Sequence, residues 1–329
     1  MSIYQPPFVI TPLILNQVIE IGELMGNWAA MAGRASPLLR KENRIRTIQA
    51  SLAIEHNSLT TEQVTALMEG KRILAPAKDI QEVRNAILAY EKMSEWKSER
   101  LSDLLQAHQI LMMGLVDNPG QLRSGNVGVY REKQLIHMAP PASQVLRLMN
   151  DLLGWLKTTE LHPLIAGAIF HYEFEFIHPF ADGNGRMGRL WQTLILREWR
   201  SELAWLPVET LIHYQQDRYY QVLGQCDRQS SCTPFIEFIL ENIISALQEG
   251  LGKSSALSEE MSEEMSPDLL DIEKRILQIL SNQPGRSAKS IADECEISAR
   301  TVERYLKALQ LKGKLQRVGA TKGGLWRVI

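Results

Sequence analysis

Apolar residues recur at three- and four-residue spacing over 61–68, 79–93, 102–113 and 142–156, the spacing of amphipathic helices that each bury one face. Leu164, Ile165, Ile169, Tyr172 and Phe176 mark a further apolar helix, and Met187, Leu190, Trp191, Leu194 and Ile195 form a single buried stripe on the next. This pattern predicts a mainly α domain. It breaks over 123–138, where Gly125 and Gly128 fall among Val127 and Val129 and suggest a short extended hairpin or loop.

A different rhythm follows. Over 251–267 Ser, Glu and Met replace the periodic apolar residues and a proline closes the stretch, which reads as a linker. Beyond it, 268–281 reads as a helix, Ser287 caps a second over 288–294, and Ser298 caps a third over 299–312. Short strands over 314–318 and 324–328 flank a turn at 319–323. Helix, helix, turn, helix and a two-stranded wing is the order of a winged helix-turn-helix, with Ile291, Val302, Leu306, Leu309, Leu315 and Trp326 as its small core.

The 329 residues suffice for about two domains, and 45% hydrophobic with 22% charged residues excludes a disordered or collagen-like chain. The net charge of −2 offers no overall attraction to nucleic acid, but it averages unlike parts. From 286 to 329 ten Lys and Arg face four Asp and Glu, a net of +6, which leaves −8 for the rest. Arg300, Thr301 and Arg304 fall in the first turns of the expected recognition helix and Lys322 at the wing tip, so DNA is a candidate partner for 286–329; a docking module with a basic surface is the alternative. Cys226, Cys232 and Cys295 are too few for a disulfide framework. The first nineteen residues are uncharged but contain Pro6, Pro7 and Pro12 and no basic leader, so a cytoplasmic protein without a membrane segment is expected.

The chemistry concentrates in His178 to Arg189, HPFADGNGRMGR, a loop between the two apolar helices. Gly183, Asn184 and Gly185 open the second helix, where unpaired N–H groups and the positive end of the dipole suit a phosphate. Arg186 and Arg189 stand three apart, away from the apolar stripe, and can clamp more phosphate oxygens. Asp182 is a hard oxygen ligand placed for a divalent ion, and His178 is a candidate general base. A glycine-rich turn is usually only a turn, yet here one loop gathers a base, a carboxylate, an anion nest and two arginines. His108, His162, His171 and His213 sit in or beside apolar patterns and read as core or surface residues, with no zinc spacing.

HPFADGNGRMGR resembles the signature of the Fic family, His-x-Phe-x-[Asp/Glu]-Gly-Asn-Gly-Arg-x-x-Arg, at every specified position. The flanking text from Leu161-His162-Pro163 through His171-Tyr172-Glu173-Phe174, and 73–85 upstream, is similar too. The resemblance implies a Fic-type helical domain with a short β-hairpin flap, divided as an N-terminal helical region over 1–100, a catalytic domain over 101–250, the linker over 251–267 and the winged helix over 268–329. It implies transfer of AMP from ATP to a Tyr, Thr or Ser hydroxyl of a target protein. His178 would take the hydroxyl proton, Asp182 would bind Mg2+, Gly183 to Gly185 would supply backbone donors, Arg186 and Arg189 would hold the phosphates to be released, and Phe180 would anchor the loop.

A second motif lies far upstream. On a helix Ser51 and Glu55 share a face while Ile45, Ile48 and Leu52 form the buried side, and Asn57 reads as a left-handed C-cap. A carboxylate near a helix C-terminus is disfavoured unless a cation compensates. The stretch is similar to the family's inhibitory motif, [Ser/Thr]-x-x-x-Glu-[Gly/Asn], which implies that Glu55 pairs with Arg189; His56 departs from the motif. The 123–138 segment corresponds to the family's flap, with Val127, Gly128 and Val129 able to pair with a target strand or to serve only as a structural hairpin. Tyr219 and Tyr220 lie on a helix that resembles the one lining the family's adenine pocket. The competing reading is a DNA-binding transcriptional regulator whose Fic domain senses a nucleotide, and a homodimer is compatible with either.

Overall fold

The computed structural model describes residues 4–32, 37–131, 134–264, 267–295, 297–311, 314–318 and 325–328. It divides into two compact units, Met1–Gly252 and Lys253–Ile329. In the first, helices α1 (Pro12–Ala32), α2 (Pro37–Ala53), α3 (Thr61–Met68), α4 (Ala77–Lys92) and α5 (Leu101–Leu111) precede a two-stranded antiparallel hairpin of β1 (Gly128–Arg131) and β2 (Gln134–Met138). Helices α6 (Ala142–Thr158), α7 (Pro163–Ile177), α8 (Asn184–Trp199), α9 (Val208–Tyr214) and α10 (Gln216–Gln229) follow, and α11 (Thr233–Glu264) begins in this unit. The segment expected as a linker is helical as far as Glu264.

Helices α7 and α8 form the centre. His162 caps α7, accepting from the Leu164 N–H at 3.3 Å, and Pro163 supplies the preset first turn. The helix is apolar nearly all round and buried nearly all round, as such a sequence requires. It packs on α6 and α8; α5 and α2 also reach α8, so the loop between α7 and α8 is held from several sides. The Pro-rich start is an extended strap. Its Pro7 carbonyl accepts from the Cys232 N–H at 2.8 Å and its Val9 N–H donates to Thr233 Oγ1 at 2.9 Å, which ties 4–11 to the start of α11.

The end of α2 differs from the sequence expectation. The left-handed residue is His56, with φ of 68°, and not Asn57. His56 N–H donates to Ala53 O at 3.0 Å and Asn57 N–H to Leu52 O at 3.1 Å, the paired bonds of a Schellman motif with histidine where glycine is usual.

The second unit contains α12 (Pro267–Asn282), α13 (Ala288–Cys295), α14 (Ala299–Leu311) and the antiparallel pair β3 (Leu315–Val318) and β4 (Leu325–Val328). This is the winged helix-turn-helix, and its six expected core residues are all buried. The wing tip with Lys322 lies outside the described residues, as do the side chains of Arg300 and Arg304. All three cysteines are free and buried, and among the described residues no helix is long and apolar enough to cross a membrane.

His171 lies fully buried in α7 between Gln192 and the Tyr219 hydroxyl, 3.1 Å away. Burial pushes its ring down to about 3, so it is neutral when folded and must gain a proton on unfolding at acidic pH. Its contribution is complete above pH ~6.5 and is lost at about 1.4 kcal/mol per pH unit as pH falls toward the folded value. Urea denaturation at pH 7 and pH 5 is expected to show a smaller loss in His171→Gln than in the wild type, the remainder belonging to His108, whose ring burial also pushes down. That comparison isolates the histidine from Glu173 and Glu209, whose burial-raised carboxyls act in the opposite sense.

Candidate active site

The loop after α7 begins with strain. His178 is the C-cap, with φ of 50° and ψ of 61°, a left-handed conformation that costs a non-glycine residue about 1–2 kcal/mol. Its N–H bonds Phe174 O at 2.9 Å and its carbonyl accepts from Arg123 Nε at 2.7 Å. Two residues on, Phe180 is fully buried and stacks on the His108 ring with centroids 3.6 Å apart. Asn184 reaches back and clamps the Phe180 backbone with two bonds of 2.9 Å. The Gly120 N–H donates to His108 Nδ1 at 2.8 Å, which leaves Nε2 to donate to the Asp182 carbonyl at 3.0 Å. Burial pushes His108 down to about 4, so this neutral tautomer persists at physiological pH.

The N–H groups outside the α8 ladder run from Asn184 to Arg186, and that of Gly183 is taken by a side chain. Gly183 turns into α8 with φ of 85°, and a Cβ there would meet Met112 Sδ at 2.6 Å. Its own N–H is taken by Asp182 Oδ1 at 2.6 Å. The helix has no side-chain cap and its first ladder bond is from Met187 N to Gly183 O, so Asn184, Gly185 and Arg186 carry the N–H groups outside the ladder. The Asn184 side chain is spent on Phe180, leaving only its backbone for a ligand.

The Asp182 side chain is 58% exposed, and its Oδ1 also accepts from Arg186 Nη2 at 3.3 Å. Among the described residues Oδ2 has no hydrogen bond, and no group of three or more His, Cys, Asp or Glu gathers anywhere. A single exposed hard oxygen beside an anion nest fits Mg2+, whose other ligands would be water and phosphate oxygens.

Both arginines, expected on the edge away from the apolar stripe, are buried. Arg186 donates to Glu82 Oε1 at 3.2 Å, and Glu82 Oε2 accepts from Asn57 Nδ2 at 2.8 Å. Arg189, 2% exposed, donates from Nε to Ser51 Oγ at 3.1 Å, and from Nη2 to Ser51 O at 3.0 Å and to Glu55 Oε1 at 2.7 Å. Burial works against its charge, but Glu55, Tyr219 and Glu175 outweigh that and hold the guanidinium above its ordinary value. A Cβ on Gly185 would collide with Glu55 Oε1, so this carboxylate rests against the start of α8 as well as on Arg189. Glu55 Oε1 thus lies between the Arg189 guanidinium and the first turn of α8.

Ser51 and Glu55 therefore join the signature loop, while Tyr219 does not line a free pocket. It is 1% exposed, packs on Phe235 and Phe238, and its hydroxyl is engaged by His171. Tyr220 is half-buried and has Glu55 and Arg189 as electrostatic neighbours. Gly128 pairs with Met138 and Val129 with His137, a bulge follows Val129, and Val127 precedes the strand. Sequence reasoning missed Arg123, His108 and Glu82. Two carried a signal, an ionisable residue within an apolar stripe: His108 between Leu104 and Leu111, and Glu82 with Ala86 and Ala89. Arg123, in irregular chain, carried none.

These features define a helical domain whose inter-helix loop gathers a helix N-terminus and two arginines beside a histidine and a metal-type carboxylate. The Fic/DOC family pattern matches residues 98–196, and the winged helix-turn-helix DNA-binding pattern matches 269–316. A crystal structure of a Fic family protein from Desulfovibrio desulfuricans G20 superposes with a TM-score of 0.77 at 46% identity, covering 99% of this chain and 98% of that one. The chain belongs to the Fic/DOC family. Protein adenylyltransferase Fic of Nematostella vectensis is 29% identical over 214 residues, 60% of this chain and 47% of the relative. Protein adenylyltransferase fic-1 of Caenorhabditis briggsae is 26% identical over 260 residues, 74% and 48%. The chain spans about half the length of these curated relatives.

Removing Glu55 strands the Arg189 charge in the core. Glu55→Gly is expected to cost the ligand-free protein about 3 kcal/mol, seen as a lower melting temperature. Inorganic pyrophosphate should restore more stability to Glu55→Gly than it adds to wild type, because in the variant it meets an empty anion seat. An equal pyrophosphate shift in both proteins would contradict the overlap of Glu55 with the anion site.

Proposed function

We propose that the chain is an autoinhibited protein adenylyltransferase that moves AMP from ATP to a Tyr, Thr or Ser hydroxyl of a target protein. One piece of geometry carries this reading: the protein's own carboxylate, Glu55, fills an anion seat made by Arg189 and the start of α8, at the far end of a loop that begins with His178. The relatives named protein adenylyltransferase support it at the level of the family.

In this reading the phosphate chain of ATP lies along the N–H groups of Asn184, Gly185 and Arg186, with Arg186 and Arg189 holding the part that leaves. The His178 imidazole accepts the proton of the target hydroxyl as that oxygen bonds the α-phosphorus, and the bond from the α-phosphorus to the bridging oxygen breaks to release pyrophosphate. Asp182 holds Mg2+, which when bound neutralises phosphate charge. Rate enhancement comes mainly from positioning and from fixed positive charge. The off state follows from competition. While Glu55 holds Arg189, a terminal phosphate cannot, and the α-phosphate is left poorly aligned for attack.

The basic C-terminal unit supports a second and compatible activity, binding of duplex DNA, since 269–316 matches a DNA-binding winged helix and 286–329 carries a net +6.

With ATP and magnesium, Glu55→Gly is expected to form AMP adducts on itself or on lysate proteins at least about tenfold faster than wild type, read by mass spectrometry. His178→Ala in that background should bind ATP and transfer nothing. Equal rates in wild type and Glu55→Gly would sink the inhibitory assignment, and ATP binding without any transfer would favour the nucleotide sensor. A gel shift on duplex DNA should weaken steeply with salt; no shift at about 50 mM salt would count against DNA.

A further inference from the structure

Arg123 is 7% exposed, and its guanidinium is spread over four backbone carbonyls. Nε donates to His178 O at 2.7 Å, Nη1 to Gly125 O at 2.8 Å, and Nη2 to Pro140 O at 2.5 Å and to Ile177 O at 3.3 Å. Its backbone N–H adds a bond to Pro179 O at 2.9 Å. Among the described residues no carboxylate pairs with it. The acceptors fall into two groups. Ile177 and His178 lie at the C-terminus of α7, where unpaired carbonyls and the negative end of the dipole favour a cation. Gly125 lies three residues before β1 and Pro140 two residues after β2, at the two roots of the hairpin.

The hairpin's strands pair only with each other, and an isolated two-stranded hairpin is marginal in water, so ties from its roots fix where it stands. Many helices end on a glycine in the left-handed position and need no arginine from irregular chain. Here the left-handed position is occupied by a histidine, and the carbonyl of that residue receives the shortest of the two bonds that Arg123 makes to α7. We propose that Arg123 is a positioning residue that locks the flap to the backbone of His178, so that a target segment held on the flap and the base that deprotonates it share one rigid frame. The inference rests on the reading of His178 as base. It separates two halves of the reaction: ATP is held by 183–189, which Arg123 does not touch, while alignment of the hydroxyl depends on it. Lysine cannot substitute, because three donors on one point cannot reach acceptors on both sides of a planar fork.

The test uses full-length Glu55→Gly as parent, with Arg123→Lys and, in case one variant folds poorly, Arg123→Gln. The expected result is a fall in kcat for AMP transfer of about 100-fold, the cost of a misplaced reacting group. The ATP dissociation constant, measured by calorimetry without target, should stay within about threefold of the parent. Amides of 126–131 and 134–138 should exchange faster in both variants. A kcat within about threefold of the parent would overturn the proposal, as would a loss of ATP binding equal to the loss of kcat, which marks a folding staple. The exchange arm is independent of activity: unchanged flap exchange overturns the coupling even if the parent transfers no AMP, whereas an inactive parent that binds ATP refutes the adenylyltransferase reading instead.

Discussion

A guanidinium as deeply buried as Arg189 costs several kcal/mol in lost hydration, and only an anion with good geometry can offset it. Much of the surrounding arrangement answers that demand. Ser51 gives two neutral acceptors, one of them a carbonyl from the last turn of α2, and Glu55 gives the charge. For both to arrive together α2 must dock with Ile45, Ile48 and Leu52 buried, so the ion pair and the apolar seam fix the same placement. The chain then has to leave α2 sharply to reach α3. It does so through His56 in a left-handed turn, which places strain next to Glu55.

The opposite wall is organised by backbone. The His178 to Arg189 loop is not held by a single element: Arg123 takes the carbonyl of His178, Asn184 brackets Phe180, and His108 takes the carbonyl of Asp182. Groups that would meet a ligand are therefore fixed by neighbours that would not touch it, the arrangement a positioned reaction requires. Glu82 extends the scheme by linking Arg186 to Asn57, so both signature arginines connect to the end of α2, one directly and one through a second acid.

Local features were the legible ones. Periodicity located α3 to α8 because each buries one stripe or all of itself, and the winged helix was readable from two caps and a short apolar set. The signature was readable because its residues are contiguous. What could not be read comes from contacts between distant residues or from burial of polar groups. Arg189 and Ser51 are 138 residues apart, and Arg186 and Glu82 are 104 apart. Periodicity sets an arginine off the apolar stripe and cannot show that the polar side of a helix is buried, as it is for both arginines. The burial of Tyr219 could not be read for the converse reason, since an aromatic at helical spacing looks the same in a pocket and in a core. The Schellman turn was offset by one residue because asparagine is the commoner left-handed cap, and here it is instead consumed by Glu82 and Asp79. The helix through 251–264 eluded the pattern because its Ser, Glu and Met run lacks apolar periodicity although it holds good helix formers.

The carboxylate on Arg189 is tethered, which gives it a thermodynamic character unlike that of a soluble inhibitor. Under the proposed inhibition, its local concentration would be set by the stiffness of α2, so dilution of the protein would leave the off state unchanged. An incoming phosphate arrives from solution and competes by mass action. Occupancy of the seat therefore depends on the supply of anion and on the stability of one helical turn, and a substitution that only loosens or tightens the turn at His56 resets the concentration at which the two exchange.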